Sequence, residues 1–172
     1  MASRRGFPEP ALPLVGRTDE LARIEELIAG DGVRLVTLTG PGGVGKTFLA
    51  QHAAAALEPL LPDGVVFVAL GSLESAAEVL PAVARSIGLR ESGARTLEAQ
   101  LIATLADHST LLVLDNFEHV TVAASAVSAL LAACPRVRVL TTSRSSLRIA
   151  GEHDVPVPPL ALDEAVELLV ER

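Results

Sequence analysis

A glycine-rich segment carries the one lysine of the chain, in a spacing suited to binding phosphate. Residues 40–47 read GPGGVGKT and fit the pattern G-x-x-x-x-G-K-[ST]. Glycines let the backbone wrap around phosphate oxygens, and the N-terminus of a following helix adds positive charge. Lys46 supplies a compact ammonium for β- and γ-phosphates, in a slot that a planar guanidinium does not fit. Thr47 offers a hydroxyl to Mg²⁺. The competing interpretation is a glycine-rich turn with one solvated lysine.

A second polar group follows an apolar run in the segment LLVLDNFEH, residues 111–119. A buried strand would deliver Asp115 to its C-terminal end, where a magnesium ion and its waters bind beside a phosphate loop. The amide of Asn116 accepts protons too poorly for a general base, so we expect it to orient a water or a phosphate oxygen. Glu118 is the nearest carboxylate able to activate water, and the alternative is a solvated loop acid. We expect His119 on the surface or behind the ligand-binding groups.

The segment VLTTSR, residues 139–144, is another apolar strand that ends in hydroxyls and an arginine. If this strand lies between those that carry Lys46 and Asp115, Arg144 points toward the γ-phosphate and can report its presence. The alternative is a loop arginine on the surface.

The segment PLVGRTDEL, residues 13–21, precedes the first predicted helix. Gly16 allows a tight backbone path, and Thr18 is a candidate helix cap. A segment upstream of the phosphate strand can reach back over a nucleotide base. The alternative is a plain capped helix start.

Apolar runs alternate with helical patterns along the chain, and these elements must position the polar residues. The runs cover 33–39, 65–70, 111–114, 137–141 and 155–157, and the helices cover 18–29, 46–57, 75–87, 96–106, 121–133 and a segment from 163. Runs that are apolar nearly throughout indicate a parallel sheet covered on both faces. Because Pro156 lacks an N–H group, we expect its strand at an edge.

The length, charge and composition of the chain limit the number of domains and the classes of function. The 172 residues predict one domain over 14–172 after a flexible, Pro-rich lead-in over 1–13. With a net charge of −7, no Trp or Tyr and no basic block, we expect no direct DNA binding by this segment.

Cys134 has no disulfide partner or metal-ligand spacing, and we expect a buried thiol. Prolines follow the paired arginines near the N-terminus, which argues against an export signal, and no apolar run suits a membrane span. We therefore expect a cytoplasmic location.

Together these stretches resemble the NB-ARC-type STAND ATPases. They are most similar to the ATPase modules of large bacterial regulators with LuxR-type or SARP-type DNA-binding domains. The matching segments are LVGRTDEL, LVTLTGPGGVGKTFLA, DGVVFVAL, LLVLDNFEHV, ACPRVRVLTTSRSSLRIAGE and VPVPPLALDEAVELLVER. The resemblance implies an α/β P-loop NTPase fold, a three-layer α/β/α sandwich with a five-stranded parallel sheet in the order 2-3-4-1-5.

The resemblance also implies roles for single residues. Asp115 would be the Walker B acid that holds Mg²⁺ with Thr47, Arg144 the sensor arginine, and Val15, Gly16 and Arg17 the adenine contacts. ATP or ADP would be held by the residues of the phosphate loop, namely Gly40, Pro41, Gly42, Gly43, Val44, Gly45, Lys46, Thr47 and Phe48. The candidate catalytic residues are Lys46, Asp115, Glu118 and Arg144.

The sequence departs from the family pattern in two places. Many NB-ARC proteins have a second acid after the Walker B aspartate, where this chain has Asn116, so we expect slow hydrolysis. We expect helical and winged-helix regions to follow Arg172. The leading hypothesis is an ATP/ADP switch module of a bacterial transcriptional regulator, which contacts those regions or partner protomers. The alternatives are a non-hydrolysing nucleotide-binding scaffold and a small P-loop kinase.

Overall fold

The structure of the protein is a computed structural model that describes residues 13–90 and 96–160. Within these ranges, five β-strands alternate with five α-helices and with short 3₁₀ turns. The helices are α1 (Thr18–Ala29), α2 (Lys46–Leu57), α3 (Val79–Ser86), α4 (Leu97–Leu105) and α5 (Ala124–Ala133). The strands are β1 (Leu35–Thr39), β2 (Val65–Ala69), β3 (Leu111–Asp115), β4 (Arg138–Ser143) and β5 (Glu152–Pro156).

The strands form one parallel sheet in the order β2-β3-β4-β1-β5. The predicted order 2-3-4-1-5 is confirmed, and so is the edge position of the strand that contains Pro156. Pro156 pairs with Thr39, and the amide of the next residue, Val157, donates to the Thr39 carbonyl at 2.7 Å. The sheet places the C-terminal ends of β1, β3 and β4 side by side, so residues that follow these strands can meet.

Helices cover both faces of the sheet, which gives the predicted three-layer α/β/α sandwich. Neighbouring strand residues point to opposite faces, and Leu35 and Val36 belong to different hydrophobic clusters. The cluster of Leu35 includes residues from α3, α4 and α5, whereas the cluster of Val36 includes residues from α1 and α2. The apolar runs of the sequence therefore correspond to strands buried on both sides.

Strand β5 begins earlier than predicted. Only residues 155–157 read as extended in the sequence, because charged residues precede them, whereas the strand starts at Glu152. Two threonine hydroxyls of β1 donate to its acids: Thr37 to Glu152 at 2.6 Å and Thr39 to Asp154 at 2.7 Å. These bonds satisfy the carboxylates beside the sheet, so acidic residues are accommodated in a strand.

Three other predictions on helices had different outcomes. The predicted helix over 75–87 is a 3₁₀ turn, Ala76–Glu78, followed by α3. The expectation that Thr18 caps α1 is wrong, because the N-cap is Arg17 and Thr18 is already helical. The helix predicted from residue 163 lies outside the described residues.

Cys134 ends α5 and is fully buried, as predicted, with its thiol Sγ 3.7 Å from the carbonyl oxygen of Ile102. Burial raises the pKa of the Cys134 thiol, and the nearby charge of Arg34 opposes this rise. The thiol is a packed core group in the reduced form.

Candidate functional site

The glycine loop connects β1 to α2, and helix α2 begins at Lys46. Gly40 has φ of +151° and Gly45 has φ of +91°, values that L side chains rarely adopt. The loop can therefore turn tightly enough to direct its amide groups into one cavity, and the N-terminus of α2 lies at the same place. This is the local structure that the G-x-x-x-x-G-K-[ST] pattern predicts.

Lys46 is not a solvated loop lysine. The residue is 7% exposed, and its Nζ donates to the carbonyl oxygens of Gly40 and Pro41, each at 2.8 Å. An ammonium group has three N–H donors, so two bonds hold it in the loop and a third donor remains for a ligand. The loop thus presents a fixed positive charge where an anion would bind.

Asp115 and Thr47 meet although 68 residues separate them along the chain. The Thr47 hydroxyl donates to Asp115 Oδ1 at 2.7 Å. The Thr142 hydroxyl donates to the same oxygen at 2.6 Å and accepts the backbone amide of Asn116 at 2.9 Å. Asp115 is 5% exposed, so these bonds orient a nearly buried carboxylate toward the first turn of α2.

Thr142 was not predicted from the sequence as part of this site. Its hydroxyl orients the Asp115 carboxylate, and it also fixes the backbone amide of Asn116, the first residue after β3. The signal was present, because three hydroxyl residues in succession end a strand that is otherwise apolar. Which of them would reach Asp115 depends on the register between β3 and β4.

A cavity of about 410 Å³ opens between the glycine loop and the chain that follows β3. Its lining comprises Gly42, Gly43, Gly45, Lys46, Thr47, Phe48, Gln51, Asn116 and Glu118. His119, next in sequence, is exposed and outside this lining, as expected. The cavity has the size of a small-molecule site.

Glu118 and Arg144 form an ion pair at this cavity, with 3.4 Å between Glu118 Oε1 and Arg144 Nε. The Glu118 side chain is only 14% exposed, and its Oε2 is buried without a hydrogen-bond partner. Glu118 is therefore not the solvated loop acid of the alternative interpretation. This oxygen therefore has an unused capacity to accept a hydrogen bond.

Arg144 follows β4, and β4 lies between β1 and β3, as the prediction for this arginine required. The Arg144 side chain is 65% exposed, and a Cβ atom placed on Gly42 would lie 3.9 Å from its Nη2. The guanidinium therefore lies beside the glycine loop, although Arg144 is not among the residues that line the cavity. Its contact with a phosphate remains a prediction.

Arg17 connects three parts of the chain. Its guanidinium donates to Glu20 Oε1 at 2.7 Å, to the carbonyl oxygen of Val44 at 3.3 Å and to the carbonyl oxygen of Pro158. The residue is 6% exposed. The segment before α1 is thus fastened to the glycine loop and to the chain after β5, which is more than a plain capped helix start. Contact of Val15, Gly16 or Arg17 with adenine remains a prediction.

We expect Arg17→Ala to lower the free energy of unfolding by ~1.5 to 3 kcal/mol, because it removes a nearly buried guanidinium that donates to Glu20 and to the carbonyls of Val44 and Pro158. Arg23→Ala is the matched control, since Arg23 also pairs with an acid three residues on, Glu26, but both side chains are more than half exposed. We expect the control to change stability by less than about 0.5 kcal/mol. Urea denaturation measures both, and equal losses would contradict the assignment.

Among residues 13–90 and 96–160, no three His, Cys, Asp or Glu side chains are grouped as a metal site. In the same part of the chain, no helix has the length and hydropathy to cross a membrane.

Comparison with known proteins identifies the family of this chain. The model of the AAA domain family matches residues 30–155. A putative HTH-type transcriptional regulator of Mycobacterium bovis is 43% identical over 141 residues, and the regulatory protein AfsR of Streptomyces griseus is 33% identical over 148 residues. Each match covers 81% of this chain, which spans only 16% and 15% of the length of these two relatives.

The crystal structure of Cdc6p from Pyrobaculum aerophilum has a similar fold, with a TM-score of 0.75 and 16% identity. The match covers 90% of this chain and 48% of that one, and at this identity it shows the fold alone. The family model, in contrast, matches well over half of the sequence. The chain therefore belongs to the AAA domain family.

Proposed function

We propose that the chain is an ATP/ADP-binding switch module with slow, Mg²⁺-dependent ATP hydrolysis. The observation that carries the proposal is the bond between the Thr47 hydroxyl and Asp115 Oδ1 at 2.7 Å, beside the ammonium of Lys46. A hydroxyl, a carboxylate and a fixed ammonium at a helix N-terminus form a donor and acceptor set suited to a magnesium–nucleotide complex.

The residues present fit a magnesium ion. Mg²⁺ prefers oxygen ligands and is commonly bound by one or two protein groups, with waters and phosphates completing its shell. Thr47 and Asp115 supply such oxygens, and Thr142 orients the Asp115 carboxylate. When bound, the ion would neutralise charge on the phosphates. A large protein cluster of ligands is not needed for this role.

Arg144 and Glu118 would distinguish ATP from ADP. A nucleotide shifts a conformational equilibrium only if it binds the two conformations with different affinity. A γ-phosphate at the end of the cavity would compete with Glu118 for the Arg144 guanidinium, which is held by one ion pair at 3.4 Å. Release from Arg144 would leave Glu118 free to orient a water. This contact difference is the physical basis of the proposed switch.

Slow turnover follows from the residue after Asp115. Asn116 lines the cavity, and an amide cannot take a proton from water as a second carboxylate would. The same observation favours the second candidate function, a nucleotide-binding scaffold that does not hydrolyse. Glu118 is the acid that separates the two, since it alone in this lining can act as a base.

We place the module in the NB-ARC-type STAND subgroup and in a bacterial transcriptional regulator of the LuxR or SARP type. The matching segments of the sequence and the names of the two regulators support this assignment. The domain would extend over 14–172, and its partners would be helical and winged-helix regions of the same protein or neighbouring protomers. DNA binding would belong to another part of such a protein.

Nucleotide titration followed by a turnover assay tests the proposal. We expect Mg²⁺-ADP to raise the melting temperature, and we expect Mg²⁺-ATP without an added acceptor to give multiple-turnover release of phosphate at a low rate. We expect Glu118→Gln to reduce that rate while leaving ADP binding intact. Stabilisation by ADP without phosphate release favours the scaffold. Turnover only after addition of a small hydroxyl or carboxyl acceptor would favour a kinase. No response to any nucleotide would refute the proposal.

A further inference from the structure

A carboxylate of β5 holds the loop that follows Arg144. Glu152 Oε1 accepts the Thr37 hydroxyl at 2.6 Å and the backbone amide of Leu147 at 2.7 Å. Glu152 Oε2 accepts the backbone amide of Arg148, also at 2.7 Å. Three short bonds to an ionised group are strong interactions, so this side chain fixes the two amides beside the sheet.

The same carboxylate ends a row of side chains that crosses three strands. The Thr141 hydroxyl of β4 donates to the Thr37 hydroxyl of β1 at 2.9 Å, and Thr37 in turn donates to Glu152 of β5. The bond between the two threonines is buried. The row therefore joins the rigid centre of the sheet to the loop over residues 144–151.

The path of the loop depends on the bonds that Glu152 accepts from Thr37, Leu147 and Arg148, which we call the anchor. Arg148 has φ of +61°, a conformation that is costly for residues other than glycine. Its amide is one of the two that Glu152 holds, so the surrounding bonds maintain the unfavourable backbone. Arg144 begins the loop three residues before Leu147 and has a largely exposed side chain. The position of its guanidinium thus depends on the backbone of the loop as well as on the ion pair with Glu118.

We propose that Glu152 is a positioning residue which, by holding the amides of Leu147 and Arg148, sets the place of Arg144 over the glycine loop and so the preference for ATP over ADP. The inference rests on the proposed contact of Arg144 with the γ-phosphate. ADP lacks that phosphate, so a displaced Arg144 lowers affinity for the triphosphate and leaves affinity for ADP unchanged. The preference is the difference between the affinities for ATP and for ADP, and Glu152 would affect only the affinity for ATP.

Isothermal titration of Glu152→Gln with Mg²⁺-ADP and with a non-hydrolysable ATP analogue tests this. The substitution keeps the shape of the side chain, but its amide nitrogen cannot accept the Arg148 amide. We expect affinity for the analogue to fall about tenfold, the effect of one hydrogen bond to a charged group, and affinity for ADP to stay within about twofold. Ser146→Ala is the matched control, because its hydroxyl ties the same loop to Asp154 at an exposed position. It should leave both affinities within about twofold.

A double-mutant cycle with Arg144→Ala separates positioning from general stability. If Glu152 acts through Arg144, Glu152→Gln has no further effect on analogue binding once Arg144 is truncated. Thr37→Val, which removes the other end of the anchor, should reproduce the loss of preference. This ratio of affinities does not change with a uniform loss of folded protein.

Four outcomes would overturn the inference. Additive losses in the double variant would show that Glu152 and Arg144 act separately. Equal loss of ADP and analogue binding in Glu152→Gln and in Thr37→Val would show a structural role only. If Arg144→Ala lowers analogue binding but Glu152→Gln does not, the inference fails while the proposed function stands. If Arg144→Ala binds both nucleotides normally, the sensor role in the proposed function fails, and this inference with it.

Discussion

We expect Lys46→Ala to abolish the stabilisation of the protein by Mg²⁺-ADP. The wild-type protein should gain about 2.7 kcal/mol at a ligand concentration of ~100 times Kd, which corresponds to a rise in melting temperature of roughly 5 to 10 °C for a domain of this size. The variant lacks the buried ammonium that the Gly40 and Pro41 carbonyls hold at the cavity, where we propose that the phosphates bind. Thermal melting with and without Mg²⁺-ADP measures the difference.

Lys46→Arg is the companion variant, because it keeps the charge but not the shape. A guanidinium is planar and bulkier than an ammonium, so we expect it to restore little of the ligand-induced rise. The variants without ligand should melt within a few degrees of each other, which shows that the fold is retained. A wild-type response of Lys46→Ala to Mg²⁺-ADP would contradict the assignment of the glycine loop as a phosphate site.

Gly40→Ala is the substitution from which we expect the largest loss of stability. A Cβ atom at Gly40 would lie 2.4 Å from the carbonyl oxygen of Val157, a backbone atom at the edge of β5. The φ of +151° adds strain for any residue with a side chain. We expect a loss of about 3 kcal/mol or more in the free energy of unfolding, measured by urea denaturation, because backbone and strand must both move.

Gly32→Ala separates the two causes of this loss. Gly32 also has a positive φ, +102°, but an added Cβ would have no atom within 4 Å. Its cost is therefore that of backbone strain alone, about 1 to 3 kcal/mol. The excess in Gly40→Ala reports the close approach of the glycine loop to β5. Equal losses in the two variants would mean that the loop and the strand end are not packed as described.

Local patterns in the sequence were sufficient to find Lys46, Thr47 and Asp115, but not Thr142. Lys46 and Thr47 lie in a motif with fixed spacing, and Asp115 ends an apolar run. Each prediction needed only a strand or a helix next to the residue. The parallel sheet followed from apolar runs alternating with helices, and the edge position of Pro156 followed from its missing donor. The strand order 2-3-4-1-5, in contrast, came from the family resemblance.

Contacts between residues far apart in sequence could not be predicted in this way. The bond from Arg17 to the Pro158 carbonyl joins residues 141 positions apart. The pairing of Glu118 with Arg144 depends on two loops that meet over the glycine loop. The role of Glu152 was hidden because an acid before a short apolar segment suggests solvent exposure, whereas its partners are hydroxyl and amide groups.

The buried sulfur at the end of α5 has a practical consequence. The chain has one cysteine and neither tryptophan nor tyrosine, so unfolding produces almost no change in intrinsic fluorescence. The Cys134 side chain is inaccessible in the native protein, and its raised pKa leaves little of the reactive thiolate. Alkylation of this thiol therefore requires the core to open. The rate of alkylation then reports how often the core opens. Mass spectrometry after a pulse of iodoacetamide measures the alkylated fraction without an optical label. A ligand that keeps the core closed would lower this fraction.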